Sequence, residues 1–524
     1  MKRILVPAAV SAALVGGLGG CTVGPDFKAP TWASPGTWFA SSAETPAHAR
    51  DVSVTVAAPL DANWWDSFHD PELSSLIKRT AAGNLDVRLA TFRLAESRDQ
   101  LGVAAAAELP QVNGNGSYSR ELLSQKGAIS LFGNGSNPNT QFNGASGTTG
   151  AIPSSITGGT KIPPFDLYQY GFDASWELDL WGRVRRSVES ADASVQASAE
   201  ARRAAALTAI AEVARDYMTL RGIQQQIAIT RENLRTAQES LSLTRSRATA
   251  GLVTDLDVQN ASAQVRTTAA DLPTLEQQQS QTINAISFLL GEKPEALRAE
   301  LIEAKPVPPV PPQVPIGLPS QLARRRPDIR QAEAQLHAAT ADIGVAVANF
   351  YPTVTLSGSF SLQALQFKDL GNWDARQYGI GPSVTLPIFQ GGQLKSTLEL
   401  RKAQQQEAAT SYQRTVLNAW HEVDNALVAY KAEQLRRQQL VQAVADNRRA
   451  VSLAQSRYTQ GLIDFLQVLD AERSLLSAQL ALAQSTTNVS TNLVALYKAL
   501  GGGWEADYPE ADRTLAAAGT GGRS

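Results

Sequence analysis

Two hydrophobic rhythms divide this chain of 524 residues. Val354, Leu356, Gly358, Phe360 and Leu362 lie on one face of an alternating stretch, and Thr353, Thr355, Ser357, Ser359 and Ser361 on the other. Tyr378, Ile380, Val384, Leu386 and Ile388 repeat the pattern. Earlier, Tyr168, Tyr170, Phe172, Ala174, Trp176, Leu178 and Leu180 alternate with Gln169, Gly171, Asp173, Ser175, Glu177 and Asp179. Period two over about ten residues predicts strands with one apolar and one polar face. The second rhythm is helical. Tyr412, Val416, Trp420, Val423, Leu427 and Tyr430 step by four and three, the seam of helices packed side by side. Residues 183–250 and 393–500 contain no proline. At 1.5 Å per residue the first of these would run about 100 Å.

These elements occur twice. Gly102, Pro110, Gly116 and Ser119 match Gly344, Pro352, Gly358 and Ser361 at one offset. RATAGLVTDLDVQNA (247–261) matches RYTQGLIDFLQVLDA (457–471) without a gap. The chain therefore reads as a tandem duplication of a large unit rather than a short-period solenoid. The expected order is an N-terminal segment 21–85, a first repeat 86–304, a linker 305–319, a second repeat 320–503 and a tail 504–524. Each repeat holds a helix, a β-hairpin (about 110–181 and 351–389) and long helices (183–291 and 393–500). The helices Asp86–Glu108 and Asp328–Asn349 should stop before Pro110 and Pro352. The linker, KPVPPVPPQVPIGLP, cannot be helical. Gly251 and Gly461 predict turns at the far ends of the long helices, and Pro273 predicts a kink or break.

The N-terminus changes the picture. Lys2 and Arg3 precede the uncharged stretch Ile4–Gly20, which reads as a signal peptide of residues 1–20. It ends Leu18-Gly19-Gly20-Cys21, resembling a bacterial lipobox, and Cys21 is the only cysteine in the chain. On this reading Cys21 carries covalent lipid and no other cofactor is expected. Thr22, rather than Asp, resembles lipoproteins sorted to the outer membrane. After the signal no apolar run is long enough for a membrane helix, so a membrane role would need strands. Forty-seven basic against forty-nine acidic residues give no field for nucleic acid.

Alternation alone fits a half-solvated soluble sheet as well as a barrel wall. The aromatic residues Trp181, Phe350, Tyr351 and Phe389, on the side joined to the helices, resemble an interfacial girdle. With the signal and lipobox, these favour the membrane. Four strands cannot close a barrel, and open edges are not tolerated in lipid, so several chains must pool their strands. The fold class expected is α+β, mainly α, a protomer of a tunnel.

The lipobox followed by GPDF, the duplicated strand-and-helix unit, and the R-x-x-x-G-L-[VI] turns at Arg247 and Arg457 resemble TolC-type outer membrane efflux proteins. The lipoprotein start is similar to the OprM/NodT-like branch. The resemblance covers Cys21 to about Trp504. It implies a homotrimer with a β-barrel of four strands per chain, closed by trimerisation and continuing into a long periplasmic α-helical barrel. It further implies an equatorial layer that gathers the N-terminal segment, linker and C-terminal region. The implied partners are a periplasmic adaptor and an inner membrane pump of the RND class. The channel itself would be a passive conduit in the outer membrane.

The resemblance also implies site residues. Asp470 falls where the family places an inward acid, and a trimer would present a ring of three. The family's second acid falls on Gln467. Asp257 is placed to latch neighbouring helical pairs, with Tyr458 as its partner, although the family's basic partner falls at Ile463. The alternative reading of Asp257 and Asp470 is as solvated acids near helix starts, favourable to the macrodipole. The turns around Arg247, Gly251, Leu252 and Arg457, Gly461, Leu462 are candidate adaptor contacts, or simply helix ends.

Enzymatic function finds no support. His48, His69, His337 and His421 are scattered without metal-ligand spacing, and there is no G-x-S-x-G elbow or phosphate loop. The alternatives are a conduit for type I protein secretion and a non-channel structural surface lipoprotein.

Overall fold

The computed structural model describes residues 22–31, 36–38, 53–122, 163–505 and 508. Cys21 and the signal segment lie outside them. In chain order the elements are β1 (Val54–Val56), a 3-10 turn (Trp64–Phe68), α1 (Pro71–Gly83), α2 (Leu85–Ala106), β2 (Gln111–Glu121), β3 (Phe165–Leu178), α3 (Arg183–Thr249), α4 (Asp255–Leu289) and α5 (Arg298–Leu301). There follow β4 (Gln313–Pro315), α6 (Pro319–Arg325), α7 (Pro327–Ala348), β5 (Thr353–Ala364), β6 (Arg376–Thr385), α8 (Gln393–Thr459) and α9 (Phe465–Ala499).

Corresponding long helices of the two halves have equal lengths. α2 and α7 hold 22 residues each, α3 and α8 hold 67, and α4 and α9 hold 35. The helix α4 runs through Pro273 without a break. Proline removes one backbone donor and leaves the carbonyl four residues earlier without its helical partner. Pro273 is exposed and residue 269 is half-exposed, so solvent can serve that carbonyl. Among the described residues no helix is long and apolar enough to cross a membrane.

Contacts divide the chain into two units. One contains 102–189 and 341–401. Its sheet has the order β2-β3-β5-β6, antiparallel throughout. The register aligns like with like. Gly114, Phe172, Phe360 and Tyr378 form one cross-strand row, and Val354 pairs with Val384 on the same face. Asn113, Asp173, Ser359 and Gly379 form a row on the opposite face. A slip of one residue anywhere would mix the faces. Phe172, Tyr378, Ile380 and Val384 are exposed. At the helical end Trp181 stacks on Tyr351 at 4.8 Å and donates from Nε1 to the Pro352 carbonyl at 2.8 Å.

The other unit contains 26–101, 190–340 and residues from 402 onward. Here β1 pairs in parallel with β4, joining the N-terminal segment to the proline-rich linker. Trp64, Phe68, Leu76, Val314, Leu322, Tyr497 and Leu500 share one buried core. Trp64 stacks on Tyr497 at 4.8 Å, and its indole donates to the Gly502 carbonyl at 3.1 Å. Segments more than 400 residues apart thus close one apolar cluster around the middle of the helices. Within it Arg221, fully buried, pairs with Glu72 at 2.8 Å and lies over the Tyr217 ring.

Candidate functional site

The α3–α4 and α8–α9 turns come together at one end of the helices. Each ends its helix in the same way. Gly251 donates to the Ala248 carbonyl and Leu252 to the Arg247 carbonyl, while Gly461 donates to Tyr458 and Leu462 to Arg457. This is the Schellman arrangement, which needs a left-handed residue just after the helix. Gly251 and Gly461 have φ of +68° and +76°, and a Cβ at either would meet nothing within 4 Å. Backbone conformation, not space, calls for glycine there. Leu252 and Leu462 are left 67% and 68% exposed.

Beneath the turns Leu241, Ala261, Tyr458, Phe465, Val468 and Leu469 form a separate buried cluster, joined by partly buried Val253, Val258 and Ile463. It ties all four helices at their tips. Arg247 reinforces it from α3. Its guanidinium lies 4.6 Å from the Tyr458 ring centroid and donates to the Tyr458 and Thr459 carbonyls at 2.8 and 3.2 Å. A cation therefore sits on the carbonyl end of α8, where it also favours the helix dipole. Arg457, its counterpart in the second half, is exposed and forms no side-chain hydrogen bond or ion pair among the described residues.

The three residues expected at the gate occupy different settings. Asp257, half-buried in the first turn of α4, reaches back to Thr254, accepting from its backbone N–H at 3.1 Å and its hydroxyl at 2.9 Å. This is the reaching-back half of a capping box, an arrangement spelled in the sequence Thr254-Asp255-Leu256-Asp257. Tyr458 is 3% exposed and its hydroxyl has no hydrogen-bond partner, so it does not meet Asp257 within one chain. Asp470 is exposed on α9 beside buried Leu469, and makes no ion pair among the described residues.

One residue was missed by the sequence reading. Glu472 is 8% exposed and bridges three helices. Its Oε1 accepts from the Ser240 hydroxyl of α3 at 2.7 Å and from the Gln455 amide of α8 at 3.1 Å. Burial raises the Glu472 carboxyl above the usual range, and the two hydrogen bonds only partly oppose it. The signal was present: Phe465, Val468, Leu469 and Glu472 step by three, one and three, so the acid sits on the buried stripe. Arg473, the next residue, donates to Gln264 of α4 at 2.7 Å on the exposed side.

The description "Outer membrane efflux protein" matches residues 76–292 and 318–502. The antibiotic efflux pump outer membrane protein ArpC of Pseudomonas putida is 34% identical over 96% of both chains. Outer membrane protein OprJ of Pseudomonas aeruginosa is 31% identical over 95% of this chain and 96% of its own. Among solved structures, the outer-membrane channel OprN superposes with a TM-score of 0.81 at 34% identity, covering 93% of this chain and all of that one.

Proposed function

The chain belongs to the outer membrane efflux protein family, and we propose that three copies of it form one closed tunnel. It is an outer membrane efflux channel, a conduit rather than an enzyme. The observation that carries the trimer is the sheet. Through the middle of the sheet one face is apolar and the other polar, with charges on the apolar side only at the strand ends (Arg120, Asp166, Arg376), while β2 and β6 remain as edges. In lipid such edges must pair, and three copies supply twelve strands, an even number suited to an antiparallel barrel. The apolar face then meets lipid and the polar face lines water. The matching helix lengths of the two halves support a tandem duplication, and the long helices would extend the tunnel into the periplasm.

In this assembly the helix tips form the gate, with three Asp470 carboxylates facing the axis and Asp257 at the seam between neighbouring helical pairs, while the Tyr458 hydroxyl stays buried within its own chain. The exposed Leu252 and Leu462 turns, with Arg247 and Arg457, dock a periplasmic adaptor, and an inner membrane pump of the RND type supplies the energy. Cys21 carries lipid that adds a second membrane hold. Relatives of comparable identity are named for antibiotic, toluene, pyoverdine and cation export. That spread supports a conduit whose cargo is chosen upstream. It also favours small-molecule efflux over protein secretion.

Conductance in planar bilayers tests the reading. Wild-type trimers should give small openings that increase in Asp257→Ala/Asp470→Ala. Equal conductance in both would place the gate elsewhere, and none from a folded trimer would refute the tunnel.

A further inference from the structure

The polar face of the sheet is almost uncharged. Across the paired strands it presents Asn, Gln, Ser, Thr and Gly, with Phe165 and Leu167 at the start of β3 and three acids among the residues that face that way: Glu121, Asp173 and Glu177. Glu121 ends β2 at the margin of the sheet. Glu177 is neutralised by Arg183, whose Nε and Nη2 donate to its two oxygens at 2.8 and 2.5 Å. Asp173 stands alone in the middle. Its row is Asn113, Asp173, Ser359 and Gly379, with Asn115, Gly171, Ser361 and Gln377 on one side and Gln111, Ser175, Ser357 and Gly381 on the other. Among the described residues no cation pairs with it. Two amides hold it instead: Asn115 donates to Oδ1 at 2.6 Å and Asn113 to Oδ2 at 3.4 Å. Neutral donors fix the carboxylate in place and leave its charge uncompensated.

We propose that Asp173 sets the ion preference of the barrel, forming an acidic ring that favours cations over anions in passage. This rests on the trimeric tunnel proposed above, since closure repeats the carboxylate three times at one level. Glu177 lies four residues along β3, about 13 Å away at the usual strand rise, and its ion pair adds little net field. A ring of unpaired carboxylates on an otherwise neutral wall governs which sign of ion enters. It is a filter without a resident ligand. Such a filter acts over the Debye length, about 30 Å at 0.01 M salt and about 3 Å at 1 M. The preference is therefore largest in dilute salt and fades in concentrated salt.

The experiment measures reversal potentials of single trimers under a KCl gradient, in an Asp470→Asn background that removes the acid ring proposed at the gate. In that background the channel should prefer K⁺ at low salt. Adding Asp173→Asn should lower the cation-to-anion permeability ratio several-fold, and Asp173→Lys should invert it. Both differences should shrink as the bulk salt is raised. An unchanged ratio in conducting Asp173→Asn channels overturns the proposal, and Asn keeps an oxygen for the shorter Asn115 bond should Lys fail to assemble. Absence of conductance in the Asp470→Asn parent itself removes the tunnel, a failure visible before Asp173 is touched.

Discussion

Removing the Arg247 side chain should loosen the end of α8 while leaving the chain folded. The guanidinium makes two charge-assisted bonds to the Tyr458 and Thr459 carbonyls and covers the Tyr458 ring. Arg247 is half-buried, so each bond is taken at about 1 kcal/mol, below the usual range for charged partners. The cation–π contact adds about 0.5–1 kcal/mol at such a site. Against these stands the buried Nε, which has no partner and costs about 1 kcal/mol. The net for Arg247→Ala is about 2 kcal/mol, a roughly 30-fold rise in local opening. Hydrogen exchange on the intact protein reads it directly, at the amides of Gly461 and Leu462 that close the turn. Arg247→Lys should fall between, because an ammonium keeps the charge but not the planar fork. Arg457→Ala, which removes an exposed side chain without a partner among the described residues, should stay within about 0.5 kcal/mol. Equal exchange in Arg247→Ala and wild type would refute this account. So would equal acceleration by the two alanine variants, which would mean that the two arginines do the same work.

Glu472 gives the tip a pH dependence of definite sign. Because burial raises its folded pKa, the native state holds the proton more tightly than the unfolded chain, and stability falls as pH rises from the ordinary carboxylate range through the raised value. Glu472→Gln keeps an oxygen for Ser240 and Gln455 without a charge to desolvate; its melting temperature should match or exceed wild type above that window and lose that slope, whereas a wild-type slope in the variant would exclude Glu472 as the source. Labelled palmitate should enter the wild-type protein and not Cys21→Ser, with the fold unchanged; label retained in the variant would place the lipid elsewhere or nowhere.

Much of this architecture was legible because its signals are local. Period-two alternation marked the strands, and the register then had to align the apolar faces, since a shift of one would turn a strand's apolar side chains to the polar face. The Schellman turns were encoded within six residues by a glycine that alone tolerates positive φ without cost. Expected helix ends fell within two residues of those found, because proline stops a helix wherever it packs. Pro273 escaped that rule: its surroundings are solvent, and water can take the carbonyl that the helix abandons. Asp257 was read for its family position, and the nearby threonine that makes it a helix-capping residue was overlooked.

Tertiary structure decided what the repeated motif could not. Arg247 and Arg457 stand in matching turns, with identical spacing to glycine and leucine. The residue after Arg457 is Tyr458, whose ring receives Arg247; the residue after Arg247 is Ala248, which offers Arg457 no ring in return. A backbone turn depends on its own few residues, so both copies of the sequence specified it. A side chain's partner depends on what the other turn places against it, and the two turns differ at that residue. The same reason hid Glu472 among surface acids until three packed helices took it out of water.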